Sequence, residues 1–298
     1  MTVSTGAFAE LLWPGIATLF GTGYKDYPAL WSKVFATKTA TKRFEKVQGV
    51  TGLPLASIKS EGAGFDYSDM MQGYQKEFVM VTYALATSIT REMYEDEQYD
   101  YIKDVPSFLS RSMRHTEETI CFNVLNRGFN TAYTGADGLS LFNTAHTRPP
   151  GGTYSNQLTT AADLTQTSIE TMIQEIMQAT DDQGLNIRLM PKCLVVHPSF
   201  NFRARKILES SYVTGSADND VNPIPGLFQD LVVSPFLTDT DAWFIVTDAP
   251  NGLIFFRRRA TEIERDNEFN TQNLNIATSE RFDVGWADPR GVWGTAGA

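Results

Sequence analysis

Residues 74–93, YQKEFVMVTYALATSITREM, form the most strand-like stretch of the sequence. Val, Thr, Tyr, Phe and Ile dominate it, and β-branched and aromatic residues favour the pleated conformation of a strand. A single strand over Tyr74–Arg91 would be about 60 Å long at roughly 3.3 Å per residue. Typical strands have only about five or six residues. We therefore predict a ribbon that projects from the body of the protein.

The residues before this strand predict the other half of a hairpin. Residues 47–58 are extended in character, and residues 60–73 (SEGAGFDYSDMMQG) form a Gly-, Ser- and Asp-rich connection. Two-stranded ribbons are marginally stable alone, so an extended hairpin over 45–92 requires a partner surface. The candidate contact residues at its tip are Lys59, Glu61, Phe65, Tyr67, Met70, Met71 and Tyr74.

Residues 1–44 have no clean hydrophobic period and predict an irregular N-terminal arm, with a short helix near residues 28–35. The arm is rich in aromatic residues, which is unusual for a disordered tail. We expect it to pack on its own body or on a neighbour. Trp13, Phe20 and Tyr24 are the candidates for inter-subunit contacts.

The chain after the hairpin predicts an α+β fold. A helix is expected over 105–128, because Pro106 marks its first turn and apolar residues recur at helical spacing until Gly128. A second helix is expected over 167–182, with a capping box of Thr167 and Glu170. Strands follow near 193–197, 231–233 and 243–247, then a hairpin turn at 251–252 and two long strands within 261–284.

Charge and composition exclude several classes of function. The 298 residues carry a formal net charge of −10, so the chain lacks the excess of Lys and Arg with which proteins bind nucleic acid. The two cysteines, Cys121 and Cys193, fall in helical and strand patterns and predict buried thiols rather than a disulfide or zinc framework. Neither a secretory signal nor a membrane-spanning segment is expected.

Residues 135–156, GADGLSLFNTAHTRPPGGTYSN, contain the residue types of a hydrolase site. The Gly-x-Ser-x-Gly elbow is absent, however, and so are zinc-binding and phosphate-binding motifs. We predict a structural loop in which Asp137 and Gly138 turn the chain and His146 holds it by hydrogen bonds. No catalytic residue, metal or cofactor is expected, and a soluble hydrolase using His146 is the alternative from another class.

Three consecutive arginines, Arg257, Arg258 and Arg259, continue the strand that begins at Leu253. Strand alternation places the first and third on one face and Arg258 on the other. In an acidic protein, such a run is suited to ion pairs with an acidic neighbouring subunit. A solvated strand end and an anion pocket are the alternatives.

The ordered set of parts resembles the major capsid protein of tailed bacteriophages, which has the HK97-like fold. Five stretches resemble its Mu-like major head subunit group: 137–156, 190–208, 222–237, 243–250 and 281–297. The resemblance covers residues 95–298 by motif and the arm and hairpin by architecture. An encapsulin-like compartment, which shares the fold, is the closest alternative.

The resemblance implies a division of the chain. Residues 1–44 would be the arm, 45–92 the extended loop (E-loop), 93–164 the peripheral domain with its spine helix at 105–128, and 165–250 the axial domain. Residues 251–284 would return to the peripheral domain and 285–298 to the axial domain.

The resemblance also implies partners. Copies would form hexamers and pentamers of an icosahedral shell around double-stranded DNA, without contact with a membrane. Such a shell would assemble in the bacterial host cytoplasm and become the virion capsid. Because Met1 leads directly into the arm, we expect a separate scaffolding protein or a chain that is already mature. A portal protein and a decoration protein are further implied partners, and no cross-link through Lys59 is expected.

Overall fold

The computed structural model describes residues 20–21, 27–96, 101–213 and 220–298. Strands and helices are both present throughout these ranges, as an α+β fold requires. None of the described helices is long and apolar enough to cross a membrane.

The strands are β1 (Ala36–Thr39), β2 (Phe44–Val50), β3 (Gln72–Val79), β4 (Val81–Ile89), β5 (His146–Thr147), β6 (Thr153–Tyr154), β7 (Pro191–Val196), β8 (Asp230–Val233), β9 (Trp243–Thr247), β10 (Leu253–Asn267), β11 (Leu274–Trp286) and β12 (Val292–Thr295). The α-helices are α1 (Arg91–Glu95), α2 (Tyr101–Asn126), α3 (Gln166–Met177) and α4 (Asn201–Glu209). Short 3₁₀ turns occur at Trp31–Lys33, Pro198–Phe200 and Pro289–Gly291.

The first sheet has the strand order β1-β10-β11-β4. The long strands β10 and β11 pair antiparallel, β4 pairs with the other edge of β11, and β1 runs parallel to β10. The two long strands predicted near the C-terminus are therefore confirmed. Helix α2 packs against β11 and β4.

The second sheet has the strand order β12-β9-β7-β8 and is covered on both faces. Along β7, Cys193 and Val195 belong to the core shared with the first sheet, while Leu194 and Val196 belong to a core beneath α3 and α4. This alternation explains why the strands have continuous apolar sequences. Both predicted buried thiols are confirmed.

Helix α2 is the long helix that the sequence predicted, with different bounds. It has 26 residues and is about 39 Å long at roughly 1.5 Å per residue. It begins at Tyr101, so Pro106 lies inside the helix rather than in its first turn. The helix ends two residues before Gly128. A side chain at position 128 would collide with the Phe142 ring, because its Cβ would lie only 2.4 Å from a ring carbon.

The prediction of one strand over Tyr74–Arg91 is wrong. The strand is interrupted at Met80, and the two halves pair with different partners, β3 with β2 and β4 with β11. The Met80 amide donates to the Arg43 carbonyl, and the Arg281 guanidinium donates to the Met80 carbonyl. Hence only β2 and β3 form the ribbon, while β4 belongs to the body.

Two local predictions are also wrong. The capping box of α3 is formed by Thr165 and Ser168, not by Thr167 and Glu170. Asn251 does adopt a positive φ of 61°, but the turn that contains it joins β9 of the second sheet to β10 of the first, so it closes no hairpin.

Candidate functional site

The ribbon has a short paired base and a long unpaired tip. Strands β2 and β3 pair antiparallel from Phe44 opposite Val79 to Val50 opposite Gln72. Gly49 and Gly73 lie so close that a Cβ on Gly73 would be 2.9 Å from the Gly49 carbonyl carbon. Thr51 closes the base, because its hydroxyl and amide both bond to Met71.

The tip, residues 52–71, exposes large apolar side chains to solvent. Ile58 is 98% exposed and Tyr67 is 95% exposed. The other large exposed apolar residues of the tip are Leu53, Leu55, Phe65, Met70 and Met71. So large an apolar surface is typical of a contact with another protein.

The sequence-predicted tip residues divide into two groups. Lys59, Glu61, Phe65, Tyr67, Met70 and Met71 all lie in the exposed tip. Tyr74 lies in β3 at the base instead, where its hydroxyl bonds to the Thr147 hydroxyl at 2.7 Å. Sequence reasoning missed the exposed Leu53, Leu55 and Ile58, because an apolar run such as LPLASI is more typical of a buried segment.

One aromatic residue anchors the base of the ribbon to the body. The Phe78 ring is fully buried and lies 4.9 Å from the Phe256 ring of β10. Ala40, Met80 and Ile254 complete this small core. The ribbon therefore leaves the body at a fixed point while its tip has no comparable core.

The arm residues have different positions. Phe20 is buried in its own chain beside Ile89, Leu109 and Ile276, which leaves little of its side chain exposed for the predicted contact with a neighbouring subunit. Trp13 and Tyr24 lie outside the described residues. Further along, Trp31 stacks on Phe255 of β10 at 4.1 Å between ring centroids.

The arginine run pairs mainly within its own chain. Arg257 forms an ion pair with Glu117 of α2 at 2.5 Å, and Arg259 bonds to Ser279 and lies 3.6 Å from Glu262. These two arginines therefore have acidic or polar partners within their own chain, and their inter-subunit pairs stay a prediction. Register shifts on both sides of Arg259 also interrupt the expected alternation. Among the described residues, Arg258 has no ion pair, so it stays a candidate for a neighbour.

Glu117 is the centre of a buried cluster of charges. Its carboxylate, which is fully buried, accepts from Arg114 at 2.7 Å and from the Trp31 indole at 3.3 Å, besides its pair with Arg257. Burial and the neighbouring Glu117 charge raise the pKa of Glu280 to about 8, despite a bond from the Thr261 hydroxyl.

A second buried carboxylate ties the arm to the same helix. Glu118 accepts hydrogen bonds from the amides of Leu30 and Trp31. Burial raises the pKa of Glu118 to about 7, although those two bonds act in the opposite direction. The junction of arm, α2 and first sheet therefore contains two carboxyl groups that titrate near neutral pH.

The loop of 137–156 is held by His146, which is fully buried. His146 Nδ1 lies 2.5 Å from the Asp137 carboxylate, and Nε2 lies 3.2 Å from both the Leu141 carbonyl and the Asn156 amide oxygen. Burial alone would raise the pKa of Asp137, but the bond and charge of His146 and the Leu139 amide together lower it. These contacts agree with the predicted structural role of His146.

Asn156 joins this loop to the C-terminal segment. Its side-chain amide donates to the carbonyls of Leu141, Pro289 and Val292, and its oxygen accepts from the Asn143 amide. The loop is thereby fixed to both ends of the turn that precedes β12. Sequence reasoning missed this residue, because two of its partners, Pro289 and Val292, are more than 130 residues away.

The loop lacks the geometry of a hydrolase. Both ring nitrogens of His146 are occupied by Asp137, Leu141 and Asn156, and the Ser140 hydroxyl donates to the Phe142 carbonyl instead. A Ser-His-Asp site requires a nucleophile within hydrogen-bond reach of the imidazole and access for substrate. Among the described residues, no group of three or more side chains could hold a metal ion.

Arg290 covers the outer side of the loop. It lies 4.1 Å from the centroid of the Tyr154 ring, which in turn stacks on His146. Its guanidinium pairs with Asp182 at 2.7 Å and donates to the Thr180 carbonyl. This wall borders an open groove of about 570 Å³ between the ribbon base and the second sheet.

The chain has an HK97-like fold, like the solved structures that it matches. The fold combines a long helix against one sheet, a second sheet with helices on its far face, and a projecting ribbon. Sequence comparison agrees, since residues 73–294 match the family model described as phage capsid protein. The chain belongs to this family of phage capsid proteins. It is therefore a structural protein that forms shells.

Solved structures with the same fold are distant in sequence. The virus-like particle from Pyrococcus furiosus has a TM-score of 0.57 at 10% identity, over 95% of this chain and 98% of that chain. The procapsid of bacteriophage JBD30 has a TM-score of 0.56 at 13% identity, over 98% of this chain and 76% of that chain. The capsid of cyanophage P-SCSP1u has a TM-score of 0.60 at 12% identity, over 89% of this chain and 86% of that chain. No curated protein matches the sequence.

Proposed function

We propose that copies of this chain form hexamers and pentamers that close the icosahedral head shell of a tailed phage around double-stranded DNA. The tip of each ribbon packs on the adjacent subunit. The observation that carries this proposal is the apolar surface of residues 52–71, which the described part of its own chain leaves exposed.

The energetics of the tip favour a contact between subunits. Burying a large apolar side chain contributes about 1.5–3 kcal/mol, and Leu55, Ile58, Phe65 and Tyr67 are all exposed. Ordering the tip costs part of this free energy. In a shell each copy gives one such contact and receives another, and a heterologous contact of this kind repeats until the symmetry closes.

The two sheets support an assignment of domains. Helix α2 and the first sheet form the peripheral domain, with α2 as its spine helix. The second sheet forms the axial domain, since it takes β7, β8 and β9 from residues 165–250 and β12 from residues 285–298. The axial domains meet their copies around the fivefold and sixfold axes.

The remaining partners follow from the family and the charge. We propose that a scaffolding protein, a portal and a decoration protein complete the head, and that the chain is a Mu-like major head subunit. The net charge of −10 suits an inner wall that lies near packaged DNA without binding it tightly. The buried position of His146 supports a protein without enzymatic activity.

The test is negative-stain microscopy of the full chain, expressed alone and with the scaffolding protein. Ile58→Asp with Phe65→Asp should give folded subunits that form no closed shells. Tyr133→Asp changes a half-exposed aromatic outside the ribbon and should leave assembly intact. Shells of normal yield from the tip variant, or only monomers from the unaltered chain under every condition, would contradict the proposal.

A further inference from the structure

The two helices on the far face of the second sheet carry opposite charges. Helix α3 contains Glu170 and Glu175 and no basic residue. Helix α4 contains three basic residues, Arg203, Arg205 and Lys206, and one acid, Glu209. The formal charges of the helices are therefore −2 and +2, and the basic helix stands out in a chain of net charge −10.

The helices lie toward opposite edges of the same lobe. Both contribute to the core against Leu194 and Ile245. The chain leading into α3 is bonded to β9 and β12, through the Trp243 indole and the Thr295 hydroxyl at Ala162. Helix α4 instead forms the crossover between the parallel strands β7 and β8. The lobe thus has an acidic edge beside β12 and a basic edge beside β8.

Several of these charges have no partner within the described chain. Neither the Glu175 nor the Lys206 side chain makes a hydrogen bond or ion pair among the described residues. Within the part of the chain that the structure describes, the Arg203 guanidinium lies over the Phe200 ring, 5.8 Å from its centroid, and forms no ion pair.

The basic helix also presents an apolar residue. Phe202 is 82% exposed and lies one turn from Lys206 on the outer side of α4. On the acidic helix Met177 is half-exposed. An apolar residue beside unpaired charges is the composition of a protein interface.

A second copy of this chain fits both edges. In a ring of identical subunits, one edge of each copy meets the opposite edge of the next. A lobe that is basic at one edge and acidic at the other is complementary to itself in that arrangement. A twofold contact at either edge would bring like charges together.

We propose that α4 of one copy docks against α3 of the next copy around each capsomer, with Arg203 and Lys206 facing Glu170 and Glu175. This inference rests on the proposed ring of axial domains. It adds which edges meet, and therefore the direction in which subunits follow one another around the ring. Phe202 is covered in the same contact.

Charge reversal tests the proposal. The first variant is Arg203→Glu with Lys206→Glu, the second is Glu170→Lys with Glu175→Lys, and the third carries all four changes. Each single-edge variant places like charges together and should lower capsomer yield about a hundredfold or more at a given concentration. The third variant restores complementarity with the signs exchanged, so it should assemble again, but not into mixed shells with the unaltered chain.

Controls separate folding from assembly. Circular dichroism and thermal unfolding of unassembled subunits show whether each variant folds. If Glu175→Lys prevents folding, Glu170→Lys with Lys206→Glu replaces the compensated variant. Arg188→Glu reverses an exposed charge of the same lobe outside both helices and should assemble normally.

The outcomes distinguish this inference from the proposed function. Normal shells from the first variant would overturn the inference while leaving the shell function intact. Normal shells that contain less DNA would also overturn it, because they would assign the α4 cations to nucleic acid. Failure of the compensated variant to recover, although folded, would equally refute it. Failure of the unaltered chain to form any shell would instead contradict the proposed function.

Discussion

Replacing Glu280 with Gln should make the subunit more stable at alkaline pH. The Glu280 carboxyl is buried beside the Glu117 carboxylate, and its pKa is raised from 4.5 to about 8. The unfolded chain therefore loses the proton at lower pH than the folded chain. The stability from protonated Glu280 is fully present below pH 4.5 and is lost as the pH rises through 8.

The size of the effect follows from the shift. One pKa unit corresponds to about 1.4 kcal/mol, so the rise from 4.5 to about 8 corresponds to about 5 kcal/mol between pH 4 and 9. The proton belongs to the Glu117–Glu280 pair, so the titration is that of the pair. Gln keeps the shape of the side chain and a hydrogen bond with Thr261, and it cannot ionise.

The assay is urea unfolding of the unassembled full chain at pH 5, 7 and 9, followed by tryptophan fluorescence, because Trp31 lies against Glu117. Glu280→Gln should match the unaltered chain at pH 5 and exceed it by several kcal/mol at pH 9. The pKa of Glu118 is also raised, to about 7, so both proteins should lose a smaller amount of stability from this group as the pH rises.

A matched variant sharpens the comparison. Glu117→Gln removes the charge that pairs with Arg257 and Arg114, so it should cost about 3–5 kcal/mol at pH 7. Parallel pH profiles for the unaltered chain and Glu280→Gln would refute the reasoning. A Glu117→Gln variant that is more stable than the unaltered chain at pH 7 would also refute the reasoning.

Three further variants test the fold. His146→Ala leaves the Asp137 carboxylate buried without its imidazole partner and should lower the free energy of unfolding by about 2–4 kcal/mol. The shape of any particle that forms should not change, and an unchanged melting temperature would contradict this prediction. Gly291→Ala places a Cβ 2.2 Å from the Gly252 Cα and should prevent soluble folding, whereas Gly64→Ala, with open space, should not. Phe78→Ala should cost about 3–5 kcal/mol and speed hydrogen exchange over residues 44–79, and unchanged exchange would show that the ribbon is anchored elsewhere.

The sequence predicted what depends on local pattern. Apolar spacing predicted the body of α2, and alternation predicted β10 and β11. The apolar run at 193–196 predicted a buried strand because both faces of β7 are covered. The ordered motifs indicated the HK97-like fold, which the match to solved capsid structures confirms.

The structure departs from the sequence-based expectations where partners are distant in the chain. Residues on both sides of Met80 have the same strand chemistry, and only tertiary pairing with β2 and β11 separates β3 from β4. Arg257 has its partner 140 positions away at Glu117, so a local pattern of arginines could not show that the charge is satisfied internally. Phe20 is buried for a similar reason, since its neighbours lie in β4, α2 and β11.

The most direct test of the central claim is cryo-electron microscopy of particles formed by the full chain. The proposed function predicts closed icosahedral shells of hexamers and pentamers, in which residues 52–71 of each copy lie in density over the adjacent subunit. Shells in which these residues point into solvent would contradict the proposed role of the ribbon. A chain that stays monomeric with and without its scaffolding protein would contradict the assembly itself.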